Sequence, residues 1–468
     1  MVFSSLNFIF LFLPAVLLAY FGIPQRFRPL KNLVLLVFSL VFYLYGEPVG
    51  IFVMLASILA NYLFARLIAA QGARARRLLV ILSAVLNVGL LGVYKYLGFA
   101  VENLNRLLSV PLPVPEIVMP IGISFFTFQG MSYVFDVYSG RCAPQRNLLN
   151  VATYIALFPQ LVAGPIVRYE TIADELSSRR ETLDGFAAGC RRFIAGLGKK
   201  MLLANTMGLI AAETFSADAA ALSAGAAWLG AAAYALHIYF DFSGYSDMAI
   251  GLGRIFGFHF PENFDRPYIS RSVTEFWRRW HISLSTWFRD YVYIPLGGNR
   301  RGLPRQLLNL LIVWLLTGLW HGAAWNFVLW GLYYALLLIL EKLFLGRLLE
   351  KLWRPLRHLY ALLAILVGWV IFNSAGVGQA GGYLSAMFGA GRTLTETGVS
   401  ARFLLGQYKV DFLLAVLFCL PVPHCLRLLY ERRAWFAAVC DAALLGVFAL
   451  SVTAIVNSSF NPFIYFRF

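Results

Sequence analysis

The sequence predicts an all-α, polytopic integral membrane protein, and three observations point to that class. Of the 468 residues 60% are hydrophobic and only 13% are charged, a balance far from that of soluble domains. Mean hydropathy is +0.71. The apolar runs are long enough for roughly 10 to 13 crossings at about 20 residues each. Backbone groups inside hydrocarbon must be satisfied within their own segment, so spans of this kind are helices, here joined by re-entrant and amphipathic pieces.

The formal charge of +16 comes from 39 Lys and Arg against 23 Asp and Glu. It is dispersed among short loops, which fits cytoplasmic anchoring beside a lipid bilayer and argues against a nucleic-acid partner. The five cysteines are scattered without a CxxC pair, so no metal site and no disulfide framework is read from them.

The opening MVFSSLNFIFLFLPAVLLAYFGI has no basic n-region and is followed by Arg26, Arg28 and Lys31. It reads as a retained first span with its N-terminus outside. Further spans follow, from Leu33 to Gly46, to Arg66, and from Leu78 to Phe99, with basic and non-basic loops alternating. The Pro-punctuated stretch from Val110 to Pro120 is an outside connection, because each Pro removes a donor. After a helix beginning at Ile121, the segment NLLNVATYIALFPQLVAGPIVRY carries Pro159, Gly164 and Pro165 and reads as re-entrant or broken. The charged stretch from Tyr169 to Lys200 reads as a cytoplasmic surface or interfacial segment.

Inside the apolar region Met201 to Phe258, His237 and Asp241 are one turn apart on one helical face, and Asp247 is expected after a Ser-Gly turn. These groups suggest a polar lining, or equally a buried pair that pins helices together. Residues 271–296 are expected to form one amphipathic helix. On it Phe276, Trp280, Leu284, Trp287 and Tyr291 share one side, and Arg278, His281, Ser285 and Arg289 the other.

The stretch from Leu307 to Glu341 is apolar almost throughout yet carries His321 near its middle. An ionisable group at that depth is costly, so it faces either a functional path or a carbonyl partner between helices. Arg305 and Lys342 bracket the stretch, and its first arm, Leu307 to Trp320, is only about 21 Å of helix. The chain is therefore expected to bend at His321 and Gly322 within the membrane, with two crossings joined by a tight outer turn as the alternative. Ser374 to Gln407 reads as the largest outside loop. The last spans leave the tail NSSFNPFIYFRF outside or in the outer mouth.

The motifs FWRRWHISLSTWFRDYVYIPLGG, from Phe276 to Gly298, and GLWHGAAWNFVLWG, from Gly318 to Gly331, resemble the membrane-bound O-acyltransferase family. The opening MVFSSLNFIFLFLP and the closing FIYFRF are similar to its bacterial alginate O-acetylation branch. The resemblance implies a single domain, a ring of tilted spans with an inner and an outer funnel. Within it residues 1–116 would be N-terminal spans and 117–341 the catalytic core, with a donor-side helix at 271–296 and a histidine hairpin at 307–341. Residues 342–457 would be C-terminal spans, and 458–468 an aromatic tail.

On this resemblance His321 matches the catalytic histidine and His281 the second family position, which would orient the thioester or stabilise charge on its carbonyl oxygen. Arg278, Arg279, Ser285 and Arg289 would bind the anionic donor. His237, Asp241, Asp247, Trp320, Trp325 and Asn326 would line the passage. No cofactor is implied beyond acetyl-coenzyme A as the acyl-donor substrate, or an acyl-loaded carrier protein as in related members. The expected site is the bacterial inner membrane. The expected partner is a periplasmic acetyltransferase or SGNH-type protein that passes acetyl groups to an exported, alginate-like polysaccharide. Tyr465 would be a transient acyl carrier, or an aromatic interfacial anchor with Arg467. D-alanyl transfer and acetylation of peptidoglycan or cellulose remain open within the family. Outside it the alternative is a transporter of a polymer precursor, which calls for paired repeats that this sequence does not show.

Overall fold

The computed structural model describes residues 1–109, 111–389, 400–458 and 463, together with the backbone but not the side chains of 423 and 424. Every regular element among them is helical. Six helices among the described residues are long and apolar enough to cross a membrane: Gly50–Ala70, Ala73–Leu108, Leu303–His321, Trp325–Lys351, Arg354–Asn373 and Ala434–Asn457. The protein is an all-helical, multi-pass membrane protein. The other helices are shorter or interrupted by polar groups, so the wider span count read from the sequence is not reached by length and composition alone.

The chain divides into two compact units. The first comprises Met1–Phe193 and Ser246–Pro261. In it the amides of Asn61 and Asn87 bond each other at 3.0 and 3.2 Å and tie Gly50–Ala70 to Ala73–Leu91. Gly130 on Ile123–Ser139 approaches this pair so closely that a Cβ would stand 2.6 Å from Asn61 Nδ2. The segment carrying Pro159 is broken into Leu148–Ala156 and Phe158–Leu161, and both pieces are largely buried, so protein rather than lipid surrounds the interruption. Glu181 draws in Arg28 at 2.5 Å and Lys31 at 3.5 Å. Arg179, expected at an interface, is buried against Phe256 O at 3.0 Å.

The second unit comprises Ile194–Tyr245 and Glu262–Phe468. The elements that carry its chemistry are labelled α1 (Ala224–Ile255, of which the part up to Tyr245 belongs to this unit), α2 (Val273–Arg279), α3 (Ile282–Phe288), α4 (Leu303–His321), α5 (Trp325–Leu340) and α6 (Arg354–Asn373). Helix α1 is a continuous run of 32 residues and passes through Ser243 and Gly244 without a turn. Gly244 serves packing instead: a Cβ there would lie 2.8 Å from Gly196 O. The expected Ser-Gly turn before Asp247 is therefore corrected to helix.

The expected amphipathic helix at 271–296 is also corrected. It is two short helices, α2 and α3, separated at Trp280 and His281, with His281 in the left-handed region at φ 44°. Breaking the helix there lets Phe276, Trp280, Leu284 and Trp287 and also His281 turn inward, so the histidine is buried rather than on a solvated polar face. The segment from Ser374 to Gln407 is not one loop: Val377–Met387 is helical and Ala401–Cys419 begins within it, while 390–399 lie outside the described residues.

Candidate active site

His321 ends α4, and Gly322 follows in extended conformation before α5 starts at Trp325. This turn needs a glycine, because a Cβ on Gly322 would come within 2.2 Å of the Phe327 ring. The two arms then pack backbone to backbone. A Cβ on Gly318 would be 2.4 Å from Phe327 O, and one on Gly331 would be 2.5 Å from Trp314 O. Close approach of this kind is how helices gain contact in lipid, where burial of apolar surface gives little driving force. The first arm, expected to be Leu307 to Trp320, is longer and runs over 19 residues from Leu303.

The hairpin delivers His321 into an aromatic enclosure, 5% exposed. Its ring meets Trp330 edge to face at 5.1 Å, Phe372 of α6 at 5.0 Å and Trp320 at 4.8 Å between centroids. Trp320 reaches the second histidine too, with the His281 and Trp320 rings 5.9 Å apart. The histidines, 40 positions apart in the chain, thus flank one indole. That juxtaposition is the centre of the candidate site.

His281 is held from three directions. Phe242 of α1 packs edge-on at 4.6 Å. Asn263 Oδ1 is 3.1 Å from His281 Nδ1, and the same oxygen accepts from Ser283 N–H at 3.3 Å and from Ser283 Oγ–H at 2.9 Å. Ile282 N–H donates to Asn263 O at 2.9 Å. Burial pushes the His281 pKa well below the usual histidine range, so its imidazole is neutral.

The start of α2 is secured by a residue from the hairpin. Glu341, just past α5, accepts from Val273 N–H at 2.7 Å, Thr274 N–H at 2.8 Å, Thr274 Oγ1–H at 2.5 Å and Tyr360 Oη–H at 3.1 Å. Ser272 Oγ accepts from Glu275 N–H at 3.0 Å. The first-turn donors that every helix leaves open are thereby satisfied. Helix α2 then packs Trp277 edge-on against Trp314 at 4.7 Å and Tyr334 at 4.9 Å, which seats the His281 segment on the hairpin.

The other candidates are spread around this centre. Asn326 donates to Ser374 O at 2.9 Å and Phe372 O at 3.4 Å, tying α5 to the end of α6. Trp325 is 52% exposed. Arg279 pairs with Glu275 at 3.0 Å and with Asp265 at 3.1 Å, and Arg289 pairs with Asp290 at 2.6 Å. Arg278 and Ser285 are exposed, the latter donating to Trp277 O at 3.3 Å. His237 Nδ1–H donates to Ala204 O at 2.7 Å, and Asp241 forms a buried pair with Lys200 at 2.5 Å. Asp247 belongs to the first unit and pairs with Arg192 at 2.9 Å. Tyr465 lies outside the described residues; Phe463 is buried with its ring 4.7 Å from that of Tyr245. No group of His, Cys, Asp and Glu among the described residues has the arrangement of a metal site.

Sequence reasoning missed Asn263 and Glu341. Asn263 lies in the polar loop PENFDRPY, where nothing marks one amide as a histidine partner. Glu341 was visible only as an acidic residue closing an apolar run.

Comparison with known proteins places these motifs. Residues 123–372 match the family described as MBOAT, membrane-bound O-acyltransferase family. Over the full length of both chains the protein is 41% identical to the probable alginate O-acetylase of Azotobacter vinelandii. It is 31% identical to the peptidoglycan O-acetyltransferase of Helicobacter pylori, over 100% of this chain and 98% of the relative. A more distant likeness, 29% identical over 54% of this chain and 67% of the relative, is to the teichoic acid D-alanyltransferase of Bacillus subtilis.

Proposed function

The chain belongs to the membrane-bound O-acyltransferase family, in its alginate O-acetylation branch, and from that premise we propose that it moves acetyl groups from cytoplasmic acetyl-coenzyme A to an exported polysaccharide. The observation that carries the reading is the meeting of His321 and His281 on Trp320 within a buried aromatic enclosure. The full-length likeness to alginate O-acetylases supports an alginate-like acceptor. The likeness to a peptidoglycan O-acetyltransferase keeps the cell-wall polymer as a second reading.

The chemistry is acyl transfer from sulfur to oxygen. His321 takes the proton of an attacking hydroxyl, and the oxygen bonds the thioester carbonyl carbon. The carbon–sulfur bond then breaks, and the proton passes to the departing thiolate. A positioned histidine contributes about 10² to 10⁴ in rate to such a step. The aromatic walls formed by Trp320, Trp330 and Phe372 keep out water that would hydrolyse the thioester. The exposed Arg278 offers the approach to His281 a cation suited to the phosphates of coenzyme A, while Arg279 and Arg289 are held by Glu275, Asp265 and Asp290. An inner funnel admits the donor and an outer one the acceptor, with both chain ends on the periplasmic side of the inner membrane.

Tyr465 is the acyl relay in this reading: His321 activates its hydroxyl, the tyrosine carries the acetyl group, and a periplasmic acetyltransferase or SGNH-type partner passes it to the polymer. Phe463, two positions before Tyr465 in the chain, is buried against Tyr245, which supports the reading. Polymer acetylation in cells expressing Tyr465→Phe is expected to be lost, and unchanged acetylation would remove the relay. For the enzyme as a whole, purified protein in nanodiscs should release free coenzyme A from acetyl-coenzyme A. Transport of a polymer precursor by proteoliposomes with no thioester consumed would overturn the reading.

A further inference from the structure

Asn263 has one carbonyl oxygen and one amide nitrogen to offer, and its neighbours decide which faces His281. Ser283 N–H is an obligatory donor and lies 3.3 Å from Asn263 Oδ1, and the Ser283 hydroxyl donates to the same atom at 2.9 Å. The atom facing His281 is therefore the acceptor oxygen, and the ring nitrogen 3.1 Å away, Nδ1, must bring a hydrogen to it. A neutral imidazole carries one N–H, so with Nδ1 protonated Nε2 bears a lone pair.

We propose that Asn263 is a positioning residue that fixes His281 as its Nδ1–H tautomer, so that Nε2 acts as a hydrogen-bond acceptor orienting the acyl donor rather than as a donor to the thioester oxygen. This rests on the acyltransferase reading above. The thioester itself has no hydrogen to give, whereas the pantetheine arm of coenzyme A carries amide N–H groups of the matching class. In an apolar enclosure these N–H groups need acceptors. Backbone geometry supports the same role, because His281 adopts φ 44° and Ile282 N–H donates to Asn263 O at 2.9 Å. One residue thus grips both the backbone and the ring.

Asn263, Phe242 of α1, Trp320 of α4 and Ser283 of α3, which face His281, are uncharged. On its own segment Arg279 is committed to Glu275 and to Asp265, and Arg278 faces solvent. Substituting Asn263→Asp keeps the shape and the bonds from Ser283 but places a carboxylate beside the ring. That raises the imidazole pKa, and below the raised value both nitrogens are donors and the acceptor is gone.

The test uses the full-length protein in nanodiscs with acetyl-coenzyme A as donor and an excess of soluble alginate oligosaccharide as acceptor, reading coenzyme A release from about pH 6 to 9. Wild-type KM should show no His281 inflection. Asn263→Asp should raise KM about tenfold or more near neutral pH and recover by about tenfold per unit as pH rises toward the new pKa, with kcat changed far less. A pH-independent deficit, or one carried by kcat alone, would mean that Asn263 only braces the loop and would overturn the proposal. Nitrogen-15 solid-state spectra of histidine-labelled wild-type protein, assigned by the signal lost in His281→Gln, read the tautomer without any turnover. A protonated Nδ1 with bare Nε2 is expected, and an Nε2–H or imidazolium form at neutral pH overturns it. Absence of coenzyme A release by wild type, with the expected tautomer present, would instead count against the acyltransferase reading and with it the orienting role of Nε2.

Discussion

At the scale of single residues, the site is braced by a few side chains that each hold several hydrogen bonds. Glu341 shows the most concentrated commitment, with backbone donors from Val273 and Thr274 and hydroxyls from Thr274 and Tyr360 on one carboxylate. Glu341→Gln turns one of its oxygens into a donor facing other donors. Loss of about 2 to 3 kcal/mol of stability is expected, while Tyr360→Phe, which removes a single bond, should cost about 1 kcal/mol. Thermal unfolding in detergent measures both, and equal effects would show that the cap is not what holds α2. The burial of His321 was legible in the sequence because it is a lone ionisable group in an apolar run. Asn263 was not legible, because a polar residue in a polar loop has many explanations, and only the fold brings its oxygen to His281.

Among elements, the hairpin of α4 and α5 depends on glycines at its turn and along its seam. Gly322→Ala would drive a Cβ to 2.2 Å from the Phe327 ring. The turn must shift, and a displacement of about 1 Å at His321 is expected to lower turnover by about 100-fold. Gly322→Ala combined with Phe327→Leu should regain part of that loss in coenzyme A release, and no regain would show that the ring is not the obstacle. The reversal at His321 and Gly322 was legible from the basic residues at both ends of the apolar stretch, but the short first arm was not borne out, since Leu303–His321 is itself long enough to cross a membrane. The division of 271–296 into α2 and α3 was not legible. Its apolar positions keep a helical period straight through the break, and the left-handed turn at His281 is chosen by tertiary bonds to Asn263. Likewise Gly244 reads as a turn signal in sequence, yet it is where α1 touches Gly196.

For the whole molecule, composition alone was enough to read a helical membrane protein, since 60% hydrophobic residues admit little else. How many helices cross was less legible, because packed interior helices are as apolar as lipid-facing ones. In this interior Lys200 and Asp241 form an ion pair with side chains only 2% and 0% exposed. Lys200→Met should therefore cost about 3 to 5 kcal/mol by leaving a buried carboxylate without its cation, and Lys200→Met with Asp241→Leu should recover much of it. Unfolding of the detergent-solubilised protein decides this, and a double variant no more stable than the single one would contradict it. The account of function rests on one spatial fact, the meeting of His321 and His281 on Trp320. Its most direct test compares acetyl-coenzyme A binding and coenzyme A release in wild type and His321→Ala, both confirmed as folded. The variant should bind the donor with wild-type affinity and lose at least about 100-fold in release, whereas release at the wild-type rate would contradict the assignment of His321 as the base.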